Sequence, residues 1–172
     1  SSSSFKSKNV KVVKICMRIV APQLGLDPNS TLGGEIHDVE VLGRLAKKGH
    51  EVFVLLPNKR RYPNCPNFHV TYTPVRKIFP PYIFNFFVLI YLFKLYHKVK
   101  FDLIRVHNPY FIGPAALLFR LWHPEVKVIA MYHHLERSLW QSLIDRFIAN
   151  KFDAIVVPSQ FTKNSLMEKF QL

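Results

Sequence analysis

Three short stretches of this 172-residue sequence carry residue types that could do chemistry. Thr31-Leu32-Gly33-Gly34-Glu35 closes a loop punctuated by Pro22, Gly25, Pro28 and Asn29 and leads into a run of helical periodicity. Glycines there let a backbone approach a ligand closely, and the N–H groups at the start of the following helix are open to a phosphate. A simple tight turn is the plainer use of the same glycine pair. Arg105-Val106-His107-Asn108-Pro109-Tyr110 and Met131-Tyr132-His133-His134-Leu135-Glu136 each end a β-rich run. Imidazoles in such places can serve as general bases, phosphate partners or donors to a hydroxyl. A histidine satisfied by its own surroundings competes with each of those roles. His133 and His134, adjacent on an extended chain, face opposite ways and make a weak metal pair. His37, His50, His69, His97 and His123 read as surface or loop residues, and Arg44, Lys47 and Lys48 as a solvated helix face.

Several chemistries are excluded by what these stretches lack. A dinucleotide fingerprint needs a third glycine at a fixed offset and an acid near the end of the second strand. That strand ends Leu55-Leu56-Pro57-Asn58-Lys59, with no acid to hold a ribose diol. No Gly-Lys-Ser/Thr run forms a P-loop, and no Asp-x-Asp pair calls for a metal. Cys16 and Cys65 have neither zinc nor redox spacing; Cys16, in an apolar run, reads as a small core residue in a reducing, cytoplasmic setting. Lys11, Lys14 and Arg18 interrupt the first apolar run, which therefore does not read as a signal peptide. The 24 Lys+Arg against 11 Asp+Glu give a net charge of +13, a field that attracts phosphorylated substrates, nucleic acid or an anionic membrane.

The elements that must position these residues alternate between short β-rich and longer helical stretches, the pattern of βαβ units on a parallel sheet. Strands are expected at 11–20, 51–56, 68–73, 100–107, 127–132 and 152–157. Helices are expected at 35–48, where Ile36, Val39, Leu42 and Leu45-Ala46 recur, and at 110–122, 137–150 and 160–170. Gly49 should stop the first helix. The apolar stretch from Ile78 to Tyr96 is broken by Pro80-Pro81, Asn85 and Lys94, short of the about 20 apolar residues a membrane span needs. It reads as a buried crossover helix whose Phe/Tyr face and basic flanks would also suit an anionic bilayer. The expected fold is a doubly wound, Rossmann-like α/β domain over residues 10–172, with 1–9 as a tail outside it. In such a sheet ligands lie beyond the carboxyl ends of the strands, where all three stretches fall.

The ordered set of segments resembles the N-terminal domain of family-4 glycosyltransferases, retaining enzymes of the two-domain GT-B fold. The segments are Gly33-Gly34-Glu35 with its helix and Lys48-Gly49-His50-Glu51-Val52; Phe101-Asp102-Leu103-Ile104-Arg105-Val106-His107; the Tyr132-His133 strand end; and Phe152-Asp153-Ala154-Ile155-Val156-Val157-Pro158-Ser159. The resemblance implies transfer of a sugar from a nucleotide-diphosphate sugar to a sugar or lipid acceptor. It implies that Gly33 and Gly34 approach the donor phosphates and that His133 contacts the transferred sugar. Glu35, His107, Asn108 and His134 are the remaining candidates for substrate binding. The donor is a co-substrate, and no further cofactor or metal is expected. In this family a C-terminal domain, absent from these residues, grips the nucleotide, so catalysis needs more than residues 1–172. A peripheral place on the inner face of a membrane would suit the charge. The rival reading is a basic, non-catalytic module for anionic ligands. Against nucleic acid, no recognition motif is present and most aromatics fall in periods that read as buried.

Overall fold

A computed structural model describes residues 16–27, 29, 31, 33–57, 65–74, 81–133 and 139–170, with the backbone alone at 81, 82 and 139–141. Six parallel strands form one sheet: β1 (Arg18–Pro22), β2 (Glu51–Leu56), β3 (Phe68–Tyr72), β4 (Leu103–His107), β5 (Lys127–Met131) and β6 (Ala154–Val156), in the spatial order β3-β2-β1-β4-β5-β6. The helices are α1 (Gly33–Lys47), α2 (Pro81–Val99), α3 (Pro109–Trp122), α4 (Leu139–Ile148), followed by a 3-10 turn at Ala149–Lys151, and α5 (Gln160–Phe170). The chain moves outward from β1 through β2 to β3, then crosses to β4 and runs outward the other way. The switch point therefore lies between β1 and β4, whose register pairs Val20 with Ile104. The expected doubly wound α/β fold is present.

Strand alternation sorts the core into two layers. Val20, Phe53, Leu55, Ile104 and Val106 face a layer made by α2 and α3 and completed by Ile148 of α4. Phe84, Val88, Leu92 and Tyr96, spaced by four, are the buried stripe of α2, so the apolar stretch is a crossover helix against the sheet. Among the described residues no helix is long and apolar enough to cross a membrane. Ala21, Val52, Val54 and Leu56 face Leu42 and Ala46 of α1.

Several boundaries differ from expectation, each for a local reason. Helix α1 begins two residues early, so Gly33 and Gly34 form its first turn rather than the end of a loop. It ends as expected: Gly49 takes φ 94°, and its N–H and that of His50 bond back to Ala46 and Leu45. Ile36, placed by periodicity in the buried stripe, is 46% exposed. The fourth strand starts at Leu103 because Lys100 turns through φ 47° and the Asp102 side chain accepts the Arg18 N–H at 2.8 Å. The sixth starts at Ala154 because Asp153 accepts the Val128 N–H at 2.8 Å. Residues 11–15 of the expected first strand lie outside the described residues, as do 1–9.

The outer surface of the α2–α3–α4 layer is unlike the rest. Helices α2 and α3 contain no acid, and the one acid of α4, Asp145, is buried. Phe86, Leu121, Trp122 and Phe147 are exposed there beside exposed Lys94, Lys98 and Arg146.

Candidate functional site

Helix α1 turns one face to the sheet, with Asp38, Leu42 and Ala46 buried at successive spacings of four. The lower two positions are aliphatic and close the core. The upper one is a carboxylate with no solvent exposure. Beneath it, β4 alternates: Ile104 and Val106 enter the layer on the far side, while Arg105 and His107 come up on the α1 side. Arg105 meets Asp38 through two nitrogens, Nη2 to Oδ1 at 2.6 Å and Nη1 to Oδ2 at 3.0 Å, a bidentate pair. Gln23, just beyond β1, donates through Nε2 to Oδ2 at 2.7 Å. His107 brings Nδ1 within 2.6 Å of the same oxygen, a close contact without hydrogen-bond alignment. His133 follows the end of β5 and brings Nε2 to 3.7 Å from Oδ1. Burial alone would raise the Asp38 carboxyl, but its contacts with His107, His133 and Arg105 outweigh that and hold it far below the ordinary carboxylate range.

The two histidines meet each other, with ring centroids 4.7 Å apart. Gly34 closes the third side. A methyl group there would touch His107 Cε1 at 3.8 Å and His133 at 4.0 Å, so the first turn of α1 lies directly against both rings. Gly33 beside it faces open space. The first N–H groups of an α-helix have no partner within the helix and carry a partial positive charge. A polar cluster with an electropositive rim therefore sits beyond the carboxyl ends of β4 and β5. On the outer side of α1 a groove of about 340 Å³ is lined by Gly33, Ile36, His37, Glu40, Val41 and Arg44.

His133 is held in place from behind. The Tyr132 N–H bonds to the Val156 carbonyl at 3.0 Å, and its hydroxyl donates to Asp145 of α4 at 2.9 Å. Burial, with the Asp145 carboxylate beside it, raises the Tyr132 hydroxyl far above the ordinary tyrosine range. Asn108 takes the left-handed conformation at φ 54° that Asn tolerates, and caps α3 by accepting the Phe111 N–H on its carbonyl.

Of the expected site residues, Gly34, His107 and His133 meet; Gly33, Glu35 and Asn108 flank them, and His134 lies outside the described residues. Sequence reasoning missed Asp38 and Gln23, and set aside His37 as a surface residue. The His37 side chain is 42% exposed but stacks edge-on against His133 at 5.2 Å, with Nδ1 3.5 Å from Asp38. His37, Asp38 and His133 bring ligand-type atoms within 4.8 Å of one another. The Asp38 oxygens are already taken by Arg105 and Gln23, and the guanidinium opposes a cation, so the cluster is arranged for hydrogen bonding.

Residues 32–172 match the family model described as Glycosyltransferase Family 4. No curated protein sequence matches. Among solved structures, sucrose-phosphate synthase from Thermosynechococcus elongatus superposes with a TM-score of 0.73 at 15% identity, over 90% of this chain and 45% of that one. A glycosyltransferase from Rickettsia africae ESF-5 gives 0.62 at 15% identity, over 91% and 40%. UDP-N-acetylglucosamine 2-epimerase gives 0.60 at 16%, over 90% and 45%. At these identities the likeness is one of fold, and the chain spans less than half the length of each.

Proposed function

The chain belongs to glycosyltransferase family 4, and from that footing we propose that it forms the N-terminal, acceptor-side half of a retaining transferase of the GT-B type. Its reaction would move a sugar from a nucleotide-diphosphate donor to a sugar or lipid acceptor. The observation that carries this reading is the meeting of Gly34, His107 and His133 at the strand ends, against the first turn of α1. That turn would face the donor diphosphate, whose charge grows as the bond to the sugar breaks; fixed N–H dipoles stabilise such charge without reorganising. His133 and His107 would hold the transferred sugar, with Glu35, Asn108 and His134 around it. A second domain would supply the grip on the nucleotide. Asp38 is unsuited to be a nucleophile, because Arg105 and Gln23 occupy its oxygens and it is sealed from water.

Turnover of nucleotide-sugar donors by the full-length protein tests this reading. His133→Ala should lower kcat by about a hundredfold or more with little loss of folding. Gly34→Val, which would push a branched side chain between both rings, should weaken donor use. Near-normal turnover in both variants would remove this cluster from the reaction. A lipid acceptor at a membrane surface is favoured by the exposed apolar side chains of helices α2, α3 and α4 and by the lack of an exposed acid within these three helices.

A further inference from the structure

Four side chains from three other segments converge on Asp38: Gln23, Arg105, His107 and His133. An ionised carboxylate offers about four lone-pair positions. Gln23 Nε2 and Arg105 Nη1 take both on Oδ2, at 2.7 and 3.0 Å, and Arg105 Nη2 takes one on Oδ1 at 2.6 Å. One position remains, on Oδ1. His133 Nε2 at 3.7 Å and His37 Nδ1 at 3.5 Å both stand over it, while His107 Nδ1 presses on the filled Oδ2 at 2.6 Å. These three ring nitrogens and Gln23 Oε1 are, among the described residues, the buried side-chain polar atoms without an aligned partner.

A carboxylate repels a lone pair at such range, so each ring turns an N–H toward it. His107 arrives through Nδ1 and His133 through Nε2. His37 Nδ1, equally buried and nearer at 3.5 Å, shares the remaining position on Oδ1 with His133 Nε2, and the repulsion sets an N–H on both. Resting on the transferase reading, we propose that Asp38 is the positioning residue of this site and holds its two histidines in opposite tautomers, His107 protonated on Nδ1 and His133 on Nε2. The free lone pairs are then Nε2 of His107 and Nδ1 of His133. Lone pairs accept from hydroxyls and repel phosphate oxygens. The substrate is thereby divided: hydroxyl groups of the sugar go to the rings, and phosphate goes to the first turn of α1.

Nitrogen-15 NMR of the full-length protein, with labelled histidine at about pH 8 where unperturbed imidazole is neutral, reads each tautomer from its two ring-nitrogen shifts. His107→Gln and His133→Gln assign the resonances. The expected result is Nδ1–H for His107 and Nε2–H for His133. The same tautomer in both rings, the reverse assignment, or a doubly protonated ring overturns the proposal. This measurement needs neither turnover nor a change at Asp38, so a failure of the transferase reading leaves its outcome unaffected. In Asp38→Asn the amide nitrogen replaces one of the two oxygens and turns an N–H toward the ring that faces it, so His107 should switch to Nε2–H or His133 to Nδ1–H, and kcat should fall about tenfold or more with KM within about threefold. Unchanged tautomers in both rings, or an unchanged kcat, in that folded variant overturns the positioning role.

Discussion

Truncating Asp38 to alanine would strand the Arg105 guanidinium, only 6% exposed, inside the protein without its partner. Removing one member of a buried ion pair costs about 3–5 kcal/mol, and chemical denaturation should show a loss of that size in Asp38→Ala. The same contacts set the response to pH. The folded Asp38 carboxyl lies far below the about 3.9 of an unfolded aspartate. Protons therefore bind the unfolded chain first, so the stabilisation is present above about pH 4 and lost as pH falls below it. Asp153 has the same sign: burial opposes the shift, but the Val128 N–H, Arg120 and Lys127 lower its carboxyl. Tyr132 has the opposite one: its raised hydroxyl stabilises the fold below about pH 10 and loses that contribution as pH rises further. Thermal melts across pH should show an acid limb that is shallower in Asp38→Asn and an alkaline limb that is shallower in Tyr132→Phe. Limbs unchanged by either variant would contradict the assignment. At this scale the sequence was partly legible. Gly34, His107 and His133 stand out because strand ends gather ligands. Asp38 and Arg105 hide because composition alone reads a lone charge as solvated, yet each lies in phase with buried neighbours: Asp38 four residues before Leu42, Arg105 between Ile104 and Val106.

Between elements, α3 packs closely against the end of α4. A β-carbon on Gly113 would fall 3.0 Å from both Ile148 Cδ1 and the Phe152 ring, so this glycine sets how closely the helices pack. Gly113→Val should destabilise by about 1–3 kcal/mol, seen as a lower melting temperature, while leaving the cluster around Asp38 intact. An unshifted melt would mean that the interface yields freely. Helices α2 and α3 are joined by a polar device within an apolar contact. The Asn85 amide donates to the Phe111 carbonyl and accepts from the Ala115 N–H at 3.4 Å, on either side of Pro114, whose ring removes one N–H from that turn. The sequence shows Asn85 only as an interruption of an apolar run; its purpose depends on a proline 29 residues away, which no local period can reveal. Element order was legible throughout, because 2- and 3.6-residue periods alternate cleanly. Strand starts were not, since they depend on side-chain caps such as Asp102 and Asp153 that come from across the sheet.

For the whole molecule, charge is distributed by layer. The exposed face of α2, α3 and α4 combines Phe86, Leu121, Trp122 and Phe147 with Lys94, Lys98 and Arg146, without an exposed acid in any of these three helices. Vesicles containing anionic lipid should retain the protein at low salt and release it as salt rises, and serine at Leu121, Trp122 and Phe147 should weaken retention. Failure of anionic vesicles to retain it at low salt would end the bilayer reading. The net charge was readable from composition, but its sorting by face was not, because that depends on which side of the sheet each crossover takes. The strand order has a kinetic consequence. With every pairing parallel, no two neighbouring strands can form a hairpin, and each union waits for a long crossover, the shortest being residues 57–67 between β2 and β3. β1 gains one neighbour when β2 emerges during synthesis, but its other edge stays bare until β4 at residues 103–107 arrives. Arg105 and His107 arrive on that same strand, so the seam at the switch point and the pairing of Asp38 with Arg105 close in one event, before His133 follows with β5.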